Sequence, residues 1–495
     1  MPQTPNPSPA ENTGVQRRTL IKTAAWATPV IVLSTAAPAV AASLVATLYF
    51  AVKPAAVAAC GVSQTGVIQL TKDGSTPAAA GVMVTVTLAT GLTWANADTT
   101  ARALPTDAAG QVHLTGSNAI AGTGIGGDYT VTASAPGLVV SDATATLTVT
   151  NSLTSFYVKG TAVPNTFLPV SGIPTGVVVQ TSISGGYAMA ARTSDGSVYM
   201  GNPVATAPTV TKVTGLSGPA TWVDVWYGGP WVAIAAGGRS WVVPGVGSAA
   251  SLGPVPASVN VVRQAIGTNG IVSASDTGDL WYYDPTNIPG GAKAMPGLAS
   301  GAADYAVYVG DGRWCVVAGK DGVPYLCTPY SLPQFYPVSG VEGRAVQARV
   351  GASGMIFRDD LGKVYYGIPE AHVTGGNSVT AISGLAAPAT DIATYDGGGM
   401  WAVAIAGGVG YIVELGSIAN GFIPIAGPTN LTQITIGAGT ISAIDANGVV
   451  WTAPPVTTTP KFTQGPTVPP VTAMDAYWAD GTWLAVAATP VCPVP

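Results

Sequence analysis

Apolar and polar residues alternate along much of this chain with a period of two. That period puts one face of a strand in a core and the other in water. Between positions 43 and 151 it is plainest in Gly81-Val-Met-Val-Thr-Val-Thr-Leu88, Tyr129-Thr-Val-Thr-Ala133 and Ala143-Thr-Ala-Thr-Leu-Thr-Val-Thr150. Turn residues interrupt it at Lys72-Asp-Gly-Ser75 and Asp107-Ala-Ala-Gly110. Short strands punctuated about every ten residues predict a β-sandwich over 43–151. Within it, Gly122-Thr-Gly-Ile-Gly-Gly127 spells a nucleotide-loop pattern but runs into a strand, so no helix N-terminus follows to hold a phosphate, and it reads as a loop.

From 154 to 489 the pattern repeats. Strand ends such as Pro169-Val-Ser-Gly172, Lys212-Val-Thr-Gly215, Ala294-Met-Pro-Gly297, Pro337-Val-Ser-Gly340, Ala381-Ile-Ser-Gly384 and Pro424-Ile-Ala-Gly427 recur along it. With Pro254-Val-Pro-Ala257, they place equivalent residues 40 to 44 positions apart. A second mark is a hairpin turn ending in Gly196, Gly238, Gly278, Gly322, Gly362, Gly408 or Gly448, followed by an aromatic such as Tyr199, Trp241 or Trp451. A unit of this length with four short strands is the size of a β-propeller blade. The repeat opens part-way through a unit, at Ser155–Gly172, and closes with only two strands, at Val471–Ala476 and Trp483–Ala488. The two part-units make one composite blade, so the expectation is an all-β chain: a sandwich, then an eight-bladed propeller without exposed edges. A finer period also shows. Every second unit opens on an Asp-led, aromatic-rich segment ending in Trp231, Trp314, Trp401 or Trp483, and these tryptophans stand 82 to 87 residues apart.

Several pieces resemble known families. Asp73-Gly-Ser-Thr-Pro77, the strand Val82–Leu88, Pro105-Thr-Asp-Ala-Ala-Gly-Gln111 and Gly127-Asp-Tyr-Thr-Val-Thr-Ala-Ser134 resemble the invasin/intimin-type bacterial Ig-like domain. That resemblance implies a spacer or adhesive module. Asp195-Gly-Ser-Val-Tyr199 and Asn447-Gly-Val-Val-Trp451 resemble the regulator-of-chromosome-condensation class of propeller. The His before the Ala-rich strand in that family's repeat is missing, so the resemblance implies the fold and not the exchange-factor activity. Gln16-Arg17-Arg18-Thr19-Leu20-Ile21-Lys22, the apolar run from Ala24 to Val40 and Ala39-Val40-Ala41 resemble a twin-arginine signal peptide over 1–42, with Arg17 and Arg18 as the export motif. A secreted or cell-surface location follows, with no membrane span in the mature chain, and 490–495 is read as a tail.

Composition narrows the chemistry. Charged residues are 9% of the chain and the formal net charge is −5, without a basic run beyond Arg17-Arg18, so nucleic acid lacks its electrostatic footprint. The two histidines, His113 and His372, have no catalytic or metal-ligand partner at useful spacing. Asp195, Asp276, Asp321, Asp359, Asp360 and Asp445 lie in or beside hairpin turns, where Asp stabilises the backbone. No metal and no cofactor are expected. The four cysteines allow two disulfides: Cys315 with Cys327, which flank one hairpin turn, and Cys60 with Cys492 by elimination.

The candidate binding residues are Trp226, Tyr227, Tyr305, Tyr308, Tyr395, Tyr477 and Trp478, which recur in the Asp-led segments. They are either a rim of rigid contact area on one face or filling between blades. By spacing, Trp226, Tyr308, Tyr395 and Trp478 occupy comparable places five or six residues before each repeated Trp. The expected function is non-enzymatic binding or adhesion through the propeller face, with a protein partner. A carbohydrate ligand is the alternative, and a carboxylate-based glycan hydrolase or lyase the third reading.

Overall fold

Alternation becomes sheet wherever the sequence carries it. The computed structural model describes residues 45–150, 155–160, 166–174, 177–226, 231–245, 249–251, 259–267, 270–284, 291–308, 314–329, 332–351, 354–373, 378–395, 401–437, 439–456, 458–477 and 483–489. The export motif at Arg17 and Arg18, together with Tyr227, Trp478, Cys492 and the tail, lies outside them.

In 45–150, strands Thr47–Val52, Val67–Thr71 and Gln111–His113 form one sheet, and Ala143–Val149, Gly127–Ser134, Met83–Leu88 and Arg102–Pro105 form another. Their inward residues share one core: Leu48, Ile68 and Leu70 from the first sheet meet Val84, Val86, Val131 and Leu147 from the second, around a fully buried Trp94. A small third sheet joins Val62–Ser63, Ile120–Ala121 and Thr93–Trp94.

Among the described residues from 155 onward, eight four-stranded antiparallel sheets follow one another. They are numbered 1 to 8 by their first strands: Val178–Ser184, Ala220–Val225, Val261–Gly267, Ala302–Val307, Ala345–Val350, Ala389–Tyr395, Leu431–Ile436 and Val471–Ala476. Each first strand packs on the next, and that of sheet 8 packs on that of sheet 1, so the sheets form the closed ring of a β-propeller. Sheet 8 is built from both ends of the repeat. Phe156–Lys159 pairs with Leu484–Ala488 in the register Phe156↔Ala487 to Lys159↔Leu484. Gly160 at this seam admits no side chain, because a Cβ there would lie 2.2 Å from the Trp483 ring. The hairpin glycines are required by backbone conformation: all seven, Gly196 through Gly448, have φ between 73° and 91°.

The first strands share one construction. Each has a register break between its first and third residues, which bends the strand where it meets its neighbours. In all eight the fourth residue is buried, whereas the third and fifth are half-buried, except Gln347 and Ser182, which are buried.

Those third and fifth residues clasp every joint of the ring. Where an odd sheet meets the next even one, a long side chain donates to a backbone carbonyl. Gln180 Nε2 donates to Val223 O (2.8 Å), Arg263 Nη2 to Tyr305 O (3.1 Å), Gln347 Nε2 to Ile392 O (3.5 Å) and Gln433 Nε2 to Met474 O (2.8 Å). Where an even sheet meets the next odd one, an aspartate accepts from a backbone N–H. Ile266 donates to Asp224 (3.1 Å), Ala348 to Asp304 (3.1 Å), Ile434 to Asp391 (3.2 Å) and Ile183 to Asp475 (2.9 Å). The two-unit period of the sequence is this alternation of donor and acceptor.

Candidate functional site

Two regions bring chemistry-bearing side chains together: the ring of first strands and the bases of the connections that follow them. On the first strands the four aspartates meet different surroundings. Asp304 lies between two guanidinium groups, with Arg263 Nη1 at 2.6 Å and Arg349 Nη1 at 2.8 Å. Burial alone would raise its pKa, but Arg349 and Arg263 outweigh it and hold the carboxyl below its ordinary value. The Arg263 guanidinium is also flanked by rings, 4.8 Å from the centroid of Trp222 and 4.7 Å from that of Tyr305. Asp391 accepts from the Gln347 amide at 2.8 Å. Asp224 and Asp475 have no such cation. Burial, then the nearby Asp475 charge, pushes Asp224 up to about 7, and burial pushes Asp475 up to about 6.

The connections also alternate. In even sheets an aromatic residue closes the base of a longer connection through its backbone. The N–H of Trp226 donates to Trp231 O, that of Tyr308 to Trp314 O and that of Tyr477 to Trp483 O, each at 2.9 Å, and Tyr395 pairs with Trp401 in the ladder. The residue of sheet 8 equivalent to Trp226 is therefore Tyr477, and not Trp478 as spacing alone implied, because the ladder counts from the hydrogen bond. In sheets 5 and 7 the connections are tight: Gly351 N–H donates to Gly354 O and Gly437 N–H to Thr440 O.

Burial divides the sequence-derived aromatic set. Tyr305, Tyr395 and Tyr477 lie in cores shared by adjacent sheets, with Tyr305 only 1% exposed and its hydroxyl donating to Val272 O. Trp226 and Tyr308 are half-buried against cores, and Trp226 meets Trp231 edge to face with centroids 6.5 Å apart. Trp314 and Trp483 are buried, and Trp231 and Trp401 are half-buried. Tyr187, which the sequence did not single out, is 57% exposed on the connection of sheet 1.

The turn aspartates act on the backbone. Asp359 Oδ1 accepts from the N–H groups of Leu361 and Lys363, and Asp445 Oδ1 from those of Asn447 and Val449. Their second oxygens take the aromatic group of the next strand, Tyr365 Oη at 2.9 Å and Trp451 Nε1 at 3.1 Å. His113 is exposed beside Asp107, 3.2 Å away, and His372 falls in the short helix Pro369–Val373. Among the described residues no cluster of three or more His, Cys, Asp or Glu has metal-binding geometry. Cys315 and Cys327 stand directly opposite one another in the ladder of sheet 4, buried and as thiols whose pKa burial pushes up. Cys492, the partner expected for Cys60, lies outside the described residues.

Neither a protein-family model nor a curated protein matches the chain. Among solved structures it is similar to the computationally designed protein Ika8, at 14% identity over 64% of this chain and 98% of that one, with a TM-score of 0.48. It is also similar to BamB of Moraxella catarrhalis, at 14% identity over 63% and 94%, with a TM-score of 0.42. The β-propeller domain of Cps50 (Swd1) from Myceliophteria thermophila is similar at 12% identity over 64% and 99%, also with a TM-score of 0.42.

Proposed function

We propose that this is an exported, non-enzymatic binding protein of the cell surface or its surroundings. In this reading an eight-bladed propeller, closed by a composite blade, recognises a protein partner through one face, and an Ig-like sandwich serves as spacer. The observation that carries it is the alternation of connections. All first strands run the same way along the axis, so all first-to-second-strand connections leave the ring on one face. On that face Trp226, Tyr308, Tyr395 and Tyr477 bond through their backbones with Trp231, Trp314, Trp401 and Trp483, and the sequence sets an extension of four or five residues between the members of each pair. The carboxylates and amides of the first strands are engaged in clasping sheets, which leaves these extensions as the part of the repeat available to vary with a ligand.

Export through the twin-arginine route is part of the proposal, as is a Cys315–Cys327 bridge formed in an oxidising compartment. Directly opposed residues of an antiparallel pair have the Cα separation that a disulfide spans, about 5.5 Å. A carbohydrate ligand is the second reading, favoured by Tyr187, whose exposed ring on the same face suits stacking on a sugar. Capture of partners from the native envelope by the mature protein, run beside a glycan array, separates the two. A protein retained with a Kd in the micromolar range or below and an empty array are expected. Binding confined to glycans would replace the proposal with the second reading, and turnover of a bound glycan would make the protein an enzyme.

A further inference from the structure

Sheet 3 pairs two polar side chains at the centre of its inner ladder. In every sheet the fourth residue of the first strand stands opposite a residue of the second strand. In seven sheets that second residue is alanine, valine, isoleucine or phenylalanine, whereas in sheet 3 Gln264 stands opposite Ser273. Both are at most 1% exposed. Thr181 and Tyr305, which hold the place of Gln264 in sheets 1 and 4, donate to Ala485 O and Val272 O of the preceding sheet. Gln264 instead turns its amide along its own sheet, and Nε2 donates to Ser273 Oγ at 2.8 Å. Ser273 Oγ accepts a second proton from Ser240 of sheet 2, also at 2.8 Å. Its lone pairs are then taken and its own proton is still to be placed.

Two more atoms of this joint are in the same position. Gln264 Oε1 and the Tyr283 hydroxyl are buried without a hydrogen-bond partner among the described residues. Tyr283 shares their face of sheet 3: Ser273 is opposite Trp281, and Tyr283 follows two residues on, a diagonal within reach of an aromatic side chain. Its interaction with Ser240 falls short of hydrogen-bond geometry. One unmatched acceptor and two unplaced protons therefore share one buried cluster, and such atoms are costly to leave unbonded. Sheet 2 contributes Ala233, Ala235 and Val242 to this core, small side chains that cannot bond them and leave room between the sheets.

We infer that one buried water molecule joins sheets 2 and 3, accepting from the Tyr283 hydroxyl and Ser273 Oγ and donating to Gln264 Oε1. Three bonds are what a buried water commonly makes, and a set of both signs calls for a ligand that both gives and takes protons, which an inorganic cation or anion does not. The same core carries Trp226 and Trp231, which close the connection of sheet 2, so the water ties the base of that connection to sheet 3.

The test compares Tyr283→Phe, Gln264→Met and the double variant of the mature protein in urea unfolding. If the hydroxyl had no bond, Tyr283→Phe would leave stability unchanged or raise it. With the water in place, the folding equilibrium constant should fall roughly 2- to 12-fold. The two changes should also couple through the water, so that the double variant loses less than the product of the single losses. A Tyr283→Phe variant at least as stable as wild type, or losses that simply multiply, would overturn the inference. Crystals of the wild-type protein decide the matter if a variant fails to fold. An ordered water within about 3.2 Å of both Gln264 Oε1 and Tyr283 Oη is expected, and a dry joint or a direct bond between those atoms would contradict it.

Discussion

The carboxylate of Asp475 accepts the backbone N–H of Ile183 at 2.9 Å, joining residues 292 positions apart and the last sheet of the ring to the first. It is one of eight clasps, alternately a side-chain donor onto a carbonyl and a carboxylate onto an N–H. Each satisfies a polar group of an inner strand that has no further strand to pair with. Such a bond is worth roughly 0.5–3 kcal/mol, depending on charge, and a set of them fixes how each sheet meets the next as well as stabilising it.

Ring closure depends on the strands ahead of sheet 1. Deleting Ser155–Gly172 removes Phe156 and Val158, both at most 1% exposed, and leaves sheet 8 with two strands. Burial of such side chains contributes about 1.5–3 kcal/mol each, so a loss of about 3–6 kcal/mol is expected in chemical denaturation. A chain beginning at residue 174 that unfolds like the intact one would show that sheet 8 does not need both ends.

Asp304 should titrate as an ion-paired carboxylate. Its folded pKa is depressed, so its contribution is present above its unfolded value, about 4, and is lost as pH falls through the lower folded one. Asp304→Asn should therefore lower the melting temperature at neutral pH and narrow its gap to wild type as pH falls below the ordinary carboxylate value, about 4. Removing one partner of a largely buried pair costs about 3–5 kcal/mol, less here because both arginines keep some solvent. An equal deficit at all pH values would mean that the ion pairs do not act.

How much of this was legible beforehand varies by residue. Seven hairpin glycines announced the repeat because positive φ leaves glycine as the economical choice, and the chain ends announced the mixed sheet 8 because strand order is a matter of counting. The turn roles of Asp359 and Asp445 were readable from local spacing. The clasping aspartates were seen only as the first letter of an aromatic segment. The partners of Asp224, Asp304 and Asp391 lie 42 to 44 residues on, at a spacing the repeat itself sets, and that of Asp475 lies across the ring closure. Spacing put Trp478 in the place of Trp226, and the Tyr477 N–H bond to Trp483 O moves that place by one register step, which no count of residues reveals.

The buried tyrosines should behave as packing. Tyr305→Ala and Tyr395→Ala each open a cavity between sheets and should cost about 3–5 kcal/mol. Tyr305→Phe should cost about 1 kcal/mol, removing the hydroxyl bond to the Val272 carbonyl. Equilibrium urea unfolding checks both. Near-wild-type stability in the alanine variants would move these rings back to the surface.

Export and oxidation can be followed in one experiment. Replacing Arg17 and Arg18 together by Lys should leave precursor inside the cell, whereas wild-type protein recovered outside should resist thiol alkylation at Cys315 and Cys327 even after denaturation. Undiminished secretion of the variant would count against the signal reading, and full alkylation of denatured wild-type protein against the bridge.

The recognition face is tested most directly by shortening the four even-sheet connections, at 227–230, 309–313, 396–400 and 478–482, to the Gly-Ala-Ser-Gly form of sheet 5. Melting and affinity for the captured partner are then measured on the same protein. The account predicts a melting temperature close to wild type with binding weakened at least about tenfold, or ~1.4 kcal/mol. Unchanged affinity in a folded variant would contradict it.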